Sequence, residues 1–509
     1  MNKRTNRQAV VLIHGIGEQR PMGTIRPFVK AVAGTDGDNG AYYSKPDAMS
    51  SLFELRKLQG RGSPSTDYYE YYWAYNIEGT KLWDVAKWLW QLIRRPRRDV
   101  PDGLGGLWFT SRLLLFAVVV LLIGGVFGPA MRQWAELPKF GLAWLAGTVV
   151  IGIVQFVMVS YLGDAARYLS PRPQNIKLRQ VIRSEGITLL KTLHESGKYD
   201  RIILVGHSLG SVIGYDLLTH LWQVYNQKLP SMKDDAKVKQ TMGGRICANA
   251  TPQPIVRDAL SKIGEAVAAG GKPELLSDFQ KRQKQAWCEQ RYYGNPWLIT
   301  DFVTLGSPLA HAMLLLADGK VDFDDRKAQR ELVTCPPVKD EMGYGYWQKM
   351  AIDIGAQPGK KAALRYNPLI LHHAAPFAVT RWTNLYFPVR FGLFGDAVGG
   401  PLGPVLGGGI RDIEVSTRRW KGWAGHTLSA HTSYWLGCDA QAAADASARP
   451  PSLHALKRAL LLDELRSFVG KPPKPPAALQ AAQAVPAGGQ PNTPATNPVP
   501  PDGKEPVGP

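Results

Sequence analysis

The chain reads as an α/β protein built on a mostly parallel sheet with helices on its faces. Three observations carry that reading. A short apolar run, "VVLI" at 10–13, opens the chain and stops at a glycine-rich turn. A second, "RIILVG" at 201–206, runs into Gly206-His207-Ser208-Leu209-Gly210 and then a helical apolar pattern. Between and after them, strand-like and helix-like segments alternate, which favours parallel pairing.

In chain order, residues 9–13 are the first expected strand, and "YYEYYWAYNI" (68–77) is strand-rich in aromatic composition. Residues 175–196 read as a helix, 201–205 as a strand and 209–224 as a helix. "LITDFVTLGSP" (298–308) is a strand and turn, and "RWTNLYFPV" (381–389) a further strand. The expected organisation is a first part of the α/β domain at 1–80, an insertion at 81–170, and the remainder at 171–470. A lid is expected within 220–297. From 471 to 509 the chain is rich in Pro, Ala and Gly without an aromatic residue. Such a segment buries too little apolar surface to offset its ordering entropy and is expected to be disordered.

The insertion has its own signature. Nineteen uncharged residues run from 113 to 131, and twenty-four from 140 to 163. A bilayer core about 30 Å thick needs roughly 20 apolar helical residues, so the pair reads as a transmembrane hairpin. Arg94, Arg95, Arg97, Arg98 and Arg112 precede it, and Arg167, Arg172, Lys177 and Arg179 follow, against Arg132 and Lys139 in the loop. This bias places both flanks in the cytoplasm. "KLWDVAKWLWQLI" upstream reads as an interfacial helix ending in a basic cluster. The expected location is therefore a membrane, a bacterial inner membrane, crossed more than once with the globular domain facing the cytoplasm.

The chain of 509 residues carries a formal net charge of +19. An anionic membrane surface accounts for part of that excess, and no nucleic-acid recognition motif is present. The four cysteines, Cys247, Cys288, Cys335 and Cys438, show no CxxC spacing and are expected as buried free thiols. No metal signature appears, and no cofactor is expected. Nothing in the sequence sets an oligomeric state.

The chemistry centres on Ser208. A serine between two glycines at a strand-to-helix turn is what a nucleophile needs, because side chains at 206 and 210 would strike the neighbouring strand or helix. The main-chain N–H of Leu209 would be one oxyanion donor. The second would come from the loop after the first strand, at Ile16, with Gly15 and Gly17 as alternatives. His14 is expected to orient that loop.

These residues, His14-Gly15-Ile16-Gly17, Gly206-His207-Ser208-Leu209-Gly210 and "TLGSPL" (304–309), resemble the α/β-hydrolase superfamily on its lipase and esterase side. The resemblance covers roughly residues 8–77 and 175–440. It implies the α/β-hydrolase fold and the order serine, acid, histidine along the chain. Asp396, in a glycine-rich loop after a late strand, resembles the family's acid. Asp301, Asp412 and Asp322 are the alternatives. His431, in "HTSYW", resembles the family's base, with His426 as the alternative; His311 comes too early for the expected order. The resemblance implies a Ser208, His431, Asp396 acyl-enzyme mechanism on carboxylic esters, and the inserted hairpin, a departure from a simple hydrolase, is expected to bring a lipid or other acyl ester from the membrane. A tethered thioesterase or small-ester carboxylesterase shares the fold, and a non-catalytic membrane scaffold is the contrasting class.

Overall fold

In the computed structural model of the chain, the described residues are 7–15, 20–33, 42–76, 173–226, 254–292, 295–416, 428–435 and 452–464, each apart from a few positions. Scattered positions between 94 and 116, and Tyr168, complete them. Eight strands form one sheet: β1 (Arg7–Ile13), β2 (Tyr42–Pro46), β3 (Arg56–Gly60), β4 (Ser65–Tyr71), β5 (Arg201–His207), β6 (Ile299–Leu305), β7 (Arg381–Tyr386) and β8 (Arg411–Glu414). Their spatial order is β8-β7-β6-β5-β1-β4-β3-β2. The six strands from β8 to β4 pair in parallel, and β2 and β3 add an antiparallel edge.

Strand order explains where a site can form. The chain leaves β1 toward β4 on one side, then returns to β5 on the other and continues outward through β6, β7 and β8. The sheet therefore reverses direction between β1 and β5. Connections leave that point to opposite sides and open a crevice beyond the strands' carboxyl ends.

The central strands are buried on both faces, which is why they read as continuous apolar runs. One face packs against α2 (Pro173–Glu195), α3 (Leu209–Tyr225) and α5 (Pro273–Tyr292), around Trp222, Trp297 and Phe302. The other packs against α1 (Ile25–Ala33) and α6 (Ser452–Leu460), around Phe28, Val205 and Leu456.

Within the stretch expected to hold a lid, α4 (Pro254–Ala268) and α5 form a pair. Phe279, Gln283 and Trp287 of α5 are buried, and Gln283 Nε2 donates to the carbonyls of Phe377 and Thr380.

The strand expected at 68–77 runs instead from Ser65 to Tyr71. It stops because Trp73 turns inward, where its Nε1–H donates to the His14 carbonyl at 2.9 Å. Cys335 is a buried free thiol, whereas Cys288 is held in a disulfide, which corrects the expectation of free thiols throughout. Isolated cysteines carry no proximity signal in a sequence, so that pairing was not legible.

Among the described residues no helix is long and apolar enough to cross a membrane. The expected spans at 113–131 and 140–163 lie outside the described residues except for Leu113, Leu115 and Phe116, which are exposed together with Phe109. The expected interfacial helix from 81 and the tail at 471–509 also lie outside them.

Candidate active site

Ser208 sits between β5 and α3 with φ 52° and ψ −128°. A non-glycine residue held there stores about 1–3 kcal/mol of backbone strain, which the surroundings must over-determine. They do so closely. A Cβ at Gly206 would strike the Ser211 backbone at the start of α3, and one at Gly210 would strike the Ile13 carbonyl of β1. Both glycines permit close approach on either side of the turn. The Ser208 N–H donates to the Leu305 carbonyl of β6, and the Ser208 carbonyl accepts from the Ser211 N–H. The turn is thus tied to the neighbouring strand and to its own helix.

Two distant segments complete the cluster. His431 lies in a short helical turn, Leu428–Thr432, and its Nε2 is 2.8 Å from Ser208 Oγ. Its Nδ1 is 2.9 Å from Asp396 Oδ1. The geometry assigns Nδ1–H as donor to the carboxylate, leaving Nε2 to accept from the serine hydroxyl. Ser208, His431 and Asp396 are all buried.

The Asp396 carboxylate is saturated with donors. Oδ1 also accepts the N–H groups of Val398 and Gly399, both at 3.0 Å. Oδ2 accepts the Tyr434 hydroxyl at 2.6 Å. Burial pushes the Asp396 carboxyl up. The adjacent His431 and the hydrogen bonds from His431, Tyr434 and Gly399 outweigh it and hold the group at about 2. It is ionised throughout the neutral range. Its loop is braced from below: Asn384 Nδ2 donates to the Gly400 carbonyl and to Asp412 Oδ1, and Asp412 accepts from the N–H groups of Leu402 and Gly403.

The "TLGSPL" segment passes beside Asp396. Gly306, at φ 56°, packs against Asp396 Oδ2 and the Tyr434 ring, and Ser307 Oγ accepts from Ser211 Oγ at 2.6 Å.

Leu209 is the first residue of α3, where a main-chain N–H has no intrahelical acceptor. That end of the helix also presents its positive dipole. Ile16 lies outside the described residues, as do Gly17 and His426. Gly15 is described and packs against Ser208: a Cβ on it would stand 2.7 Å from Ser208 Cβ. His14 Nδ1 donates to the Gly15 carbonyl at 2.7 Å, and its ring stacks on Trp73 at 5.2 Å. Burial lowers the His14 ring to about 4 against the opposing Gly15 bond, so it is neutral at working pH.

Asp301 forms a two-pronged pair with Arg381 near the opposite end of the sheet. Asp412 is the brace just described. Asp322 pairs with Arg326 on the exposed helix Lys320–Ala328. His311 is buried in the turn after β6.

Two residues of the cluster had been assigned no role from sequence. His207 Nε2 lies 2.8 Å from the His431 carbonyl, and Tyr434 holds Asp396. Their signals were present, as the second position of Gly-His-Ser-Leu-Gly and as the tyrosine three residues after His431. No family model, curated protein or solved structure matches the chain.

Proposed function

We propose that this chain is a membrane-held serine hydrolase of the α/β-hydrolase type that cleaves carboxylic ester bonds in lipid substrates. The observation that carries the reading is the hydrogen-bonded series Ser208 Oγ, His431 Nε2, His431 Nδ1, Asp396 Oδ1. It stands at the carboxyl end of the sheet, where the strand order reverses.

In this reading His431 removes the proton from Ser208 Oγ as the oxygen attacks the ester carbonyl. Asp396 holds the ring in the tautomer that leaves Nε2 free to accept, and stabilises the charged imidazolium that results. The developing oxyanion is received by the Leu209 N–H, with Ile16 as the expected second donor. Collapse expels the alcohol, which takes the proton from His431. Water, activated by the same ring, then releases the acid and restores Ser208. No metal or cofactor takes part in these steps.

The lipid part of the reading rests on the insertion. Two long apolar runs with basic flanks interrupt the chain between β4 and α2. Where the first begins, Phe109, Leu113 and Phe116 are exposed beside Arg112, a pattern suited to a lipid boundary. We place the domain on the cytoplasmic side of a bacterial inner membrane.

The test is labelling of isolated membranes with a fluorophosphonate probe, comparing wild type with Ser208→Ala. Labelling of wild type alone is the expected result. A folded wild type that stays unlabelled in membranes, in detergent and with added anionic lipid would end the enzyme assignment.

A further inference from the structure

The two oxygens of Asp396 are held in different ways. Oδ1 takes three N–H donors, from Val398, Gly399 and His431. Oδ2 accepts the Tyr434 hydroxyl in a short O–H to carboxylate bond of 2.6 Å. Charge-assisted bonds of that length are among the stronger ones in proteins. Around Oδ2 the packing is tight: Gly306 and Gly399 leave no room for a Cβ on either. Without the phenol, a fully buried carboxylate oxygen would face glycine backbone.

Tyr434 is itself fixed. It is fully buried, its ring lies 4.8 Å from that of Phe387 and 6.0 Å from that of His207, and its oxygen accepts the Phe387 N–H at 3.3 Å. It lies three residues after His431, so one short segment supplies both the ring that Oδ1 orients and the hydroxyl that anchors Oδ2.

We infer that Tyr434 is a positioning residue of the relay, whose hydroxyl locks the Asp396 carboxylate so that Oδ1 faces His431 and moderates the pull of that carboxylate on the imidazolium. The inference rests on the serine-hydrolase reading. Burial, and then the neighbouring Asp396, raise the Tyr434 phenol well above its ordinary value, so it remains a donor across the working range. The titratable groups facing Asp396 are His431 and Tyr434 from one segment and His207 from the end of β5.

The sign of the effect follows. A carboxylate that gives part of its charge to a phenol is a weaker acceptor for the His431 Nδ1–H. Removing the phenol strengthens that pull and favours the protonated, inactive ring, while releasing the carboxylate to rotate.

The experiment is the rate of fluorophosphonate labelling against pH for the full chain in detergent. Wild type, Tyr434→Phe, Asp396→Asn and the double variant are compared, with melting curves to establish folding. Tyr434→Phe is expected to lower the plateau rate about tenfold, the scale of a small misplacement of a reacting group. It also moves the acid limb to higher pH. In the Asp396→Asn background the same substitution is expected to change the rate by less than about twofold, because the phenol's anionic partner is already gone.

Effects that multiply in the double variant, or a Tyr434→Phe profile that overlays wild type, would overturn the role of Tyr434 and leave the hydrolase reading intact. Wild type that never labels would overturn that reading instead. Should Tyr434→Phe fail to fold, 3-fluorotyrosine at 434 gives the opposite sign. Its stronger donor must move the acid limb to lower pH, and an unmoved limb rejects the inference.

Discussion

His207 donates through Nε2 to the main-chain carbonyl of His431 at 2.8 Å. The residue before the candidate nucleophile thereby holds the backbone of the candidate base. Burial, followed by the neighbouring His431, lowers the His207 ring to about 3 despite the opposing carbonyl bond. It is therefore neutral wherever the site would work, with one proton to place, and the carbonyl acceptor puts that proton on Nε2. Its ring meets those of His431 at 5.1 Å and Trp435 at 4.9 Å. The second position of the Gly-His-Ser-Leu-Gly motif acts here as a clamp between β5 and the 428–435 segment.

His207→Phe keeps most of the packing and deletes the donor. The expected outcome is a plateau labelling rate about tenfold lower, the cost of a loosened base. The pH limbs should not move, because the carboxylate that tunes His431 is untouched. Tyr434→Phe is expected to shift the acid limb, so comparing the two profiles separates a backbone clamp from a carboxylate anchor. A His207→Phe variant at wild-type rate would show that the 428–435 segment holds itself in place.

Gly15→Ala tests the contact between the first loop and Ser208. The added Cβ would lie 2.7 Å from Ser208 Cβ and 3.2 Å from His207 Nδ1, so the elbow or the loop must yield. Overpacking of this kind costs about 1–3 kcal/mol of stability. A shift near 1 Å at the nucleophile costs about a hundredfold in rate. Labelling should fall by about that factor while the melting temperature drops only modestly. Equal loss of folded protein and of labelling would instead mark Gly15 as structural.

The sequence was most legible where local and tertiary demands coincide. β1, β5 and β6 are buried on both faces, so their composition alone carries them, and the glycines flanking Ser208 are required by contacts the motif already implies. Asp396 and His431 were reached through chain order and family resemblance, since nothing local distinguishes Asp396 from Asp412, which serves as a brace 16 residues on. The β2–β3 hairpin escaped notice because "YYSKP" is an exposed edge strand and "RKLQG", paired between it and β4, is short and mostly polar, so neither carries an apolar run. Roles that depend on a partner far away in sequence, such as His207 with His431 or Arg201 with Glu464, leave no periodic trace.

Glu70, near the end of β4, gives a pH test with a definite sign. Its Oε2 accepts the Met22 N–H at 2.6 Å ahead of α1. Burial raises the carboxyl from 4.5 to about 7, only partly offset by the N–H groups of Met22, Ile25 and Thr24. A raised carboxyl favours the fold while neutral. That contribution is fully present below about pH 4.5 and is lost as pH rises through about 7. Glu70→Gln, which stays neutral, should therefore melt above wild type at pH 8.5 and close to it at pH 5. The full swing is about 3 kcal/mol. A difference that is the same at both pH values would contradict the assignment.

A charged cluster closes the opposite end of the sheet. Arg201 opens β5 and Arg381 opens β7, and Glu464, just past α6, joins them: Arg201 Nη1 and Arg381 Nη2 each lie 2.6 Å from its Oε2. Lys284 of α5 reaches its Oε1 at 2.9 Å, and Asp301 of β6 takes the other edge of Arg381. Arg201 also donates to Gln8 of β1 and to the Leu461 carbonyl. One carboxylate thus ties the end of α6 to three elements of the core. Burial raises the Glu464 carboxyl, but Arg381, then Arg201 and Lys284, more than reverse this and hold it far below the ordinary range. Glu464→Gln would leave two buried guanidinium groups sharing Asp301, and breaking a buried pair in this way costs about 3–5 kcal/mol. The expected result is a clear fall in melting temperature that narrows as pH drops below about 4, because the depressed carboxyl's contribution is full above its unfolded value and is lost as pH falls toward its folded one. A chain ending at residue 470 keeps Glu464 and should melt like the full chain, whereas one ending at residue 460 should lose at least as much as Glu464→Gln. The cluster sits across the sheet from Ser208, so labelling at low temperature should stay within about twofold of wild type once folded. Loss of labelling without loss of stability would mean that this end of the sheet communicates with the elbow.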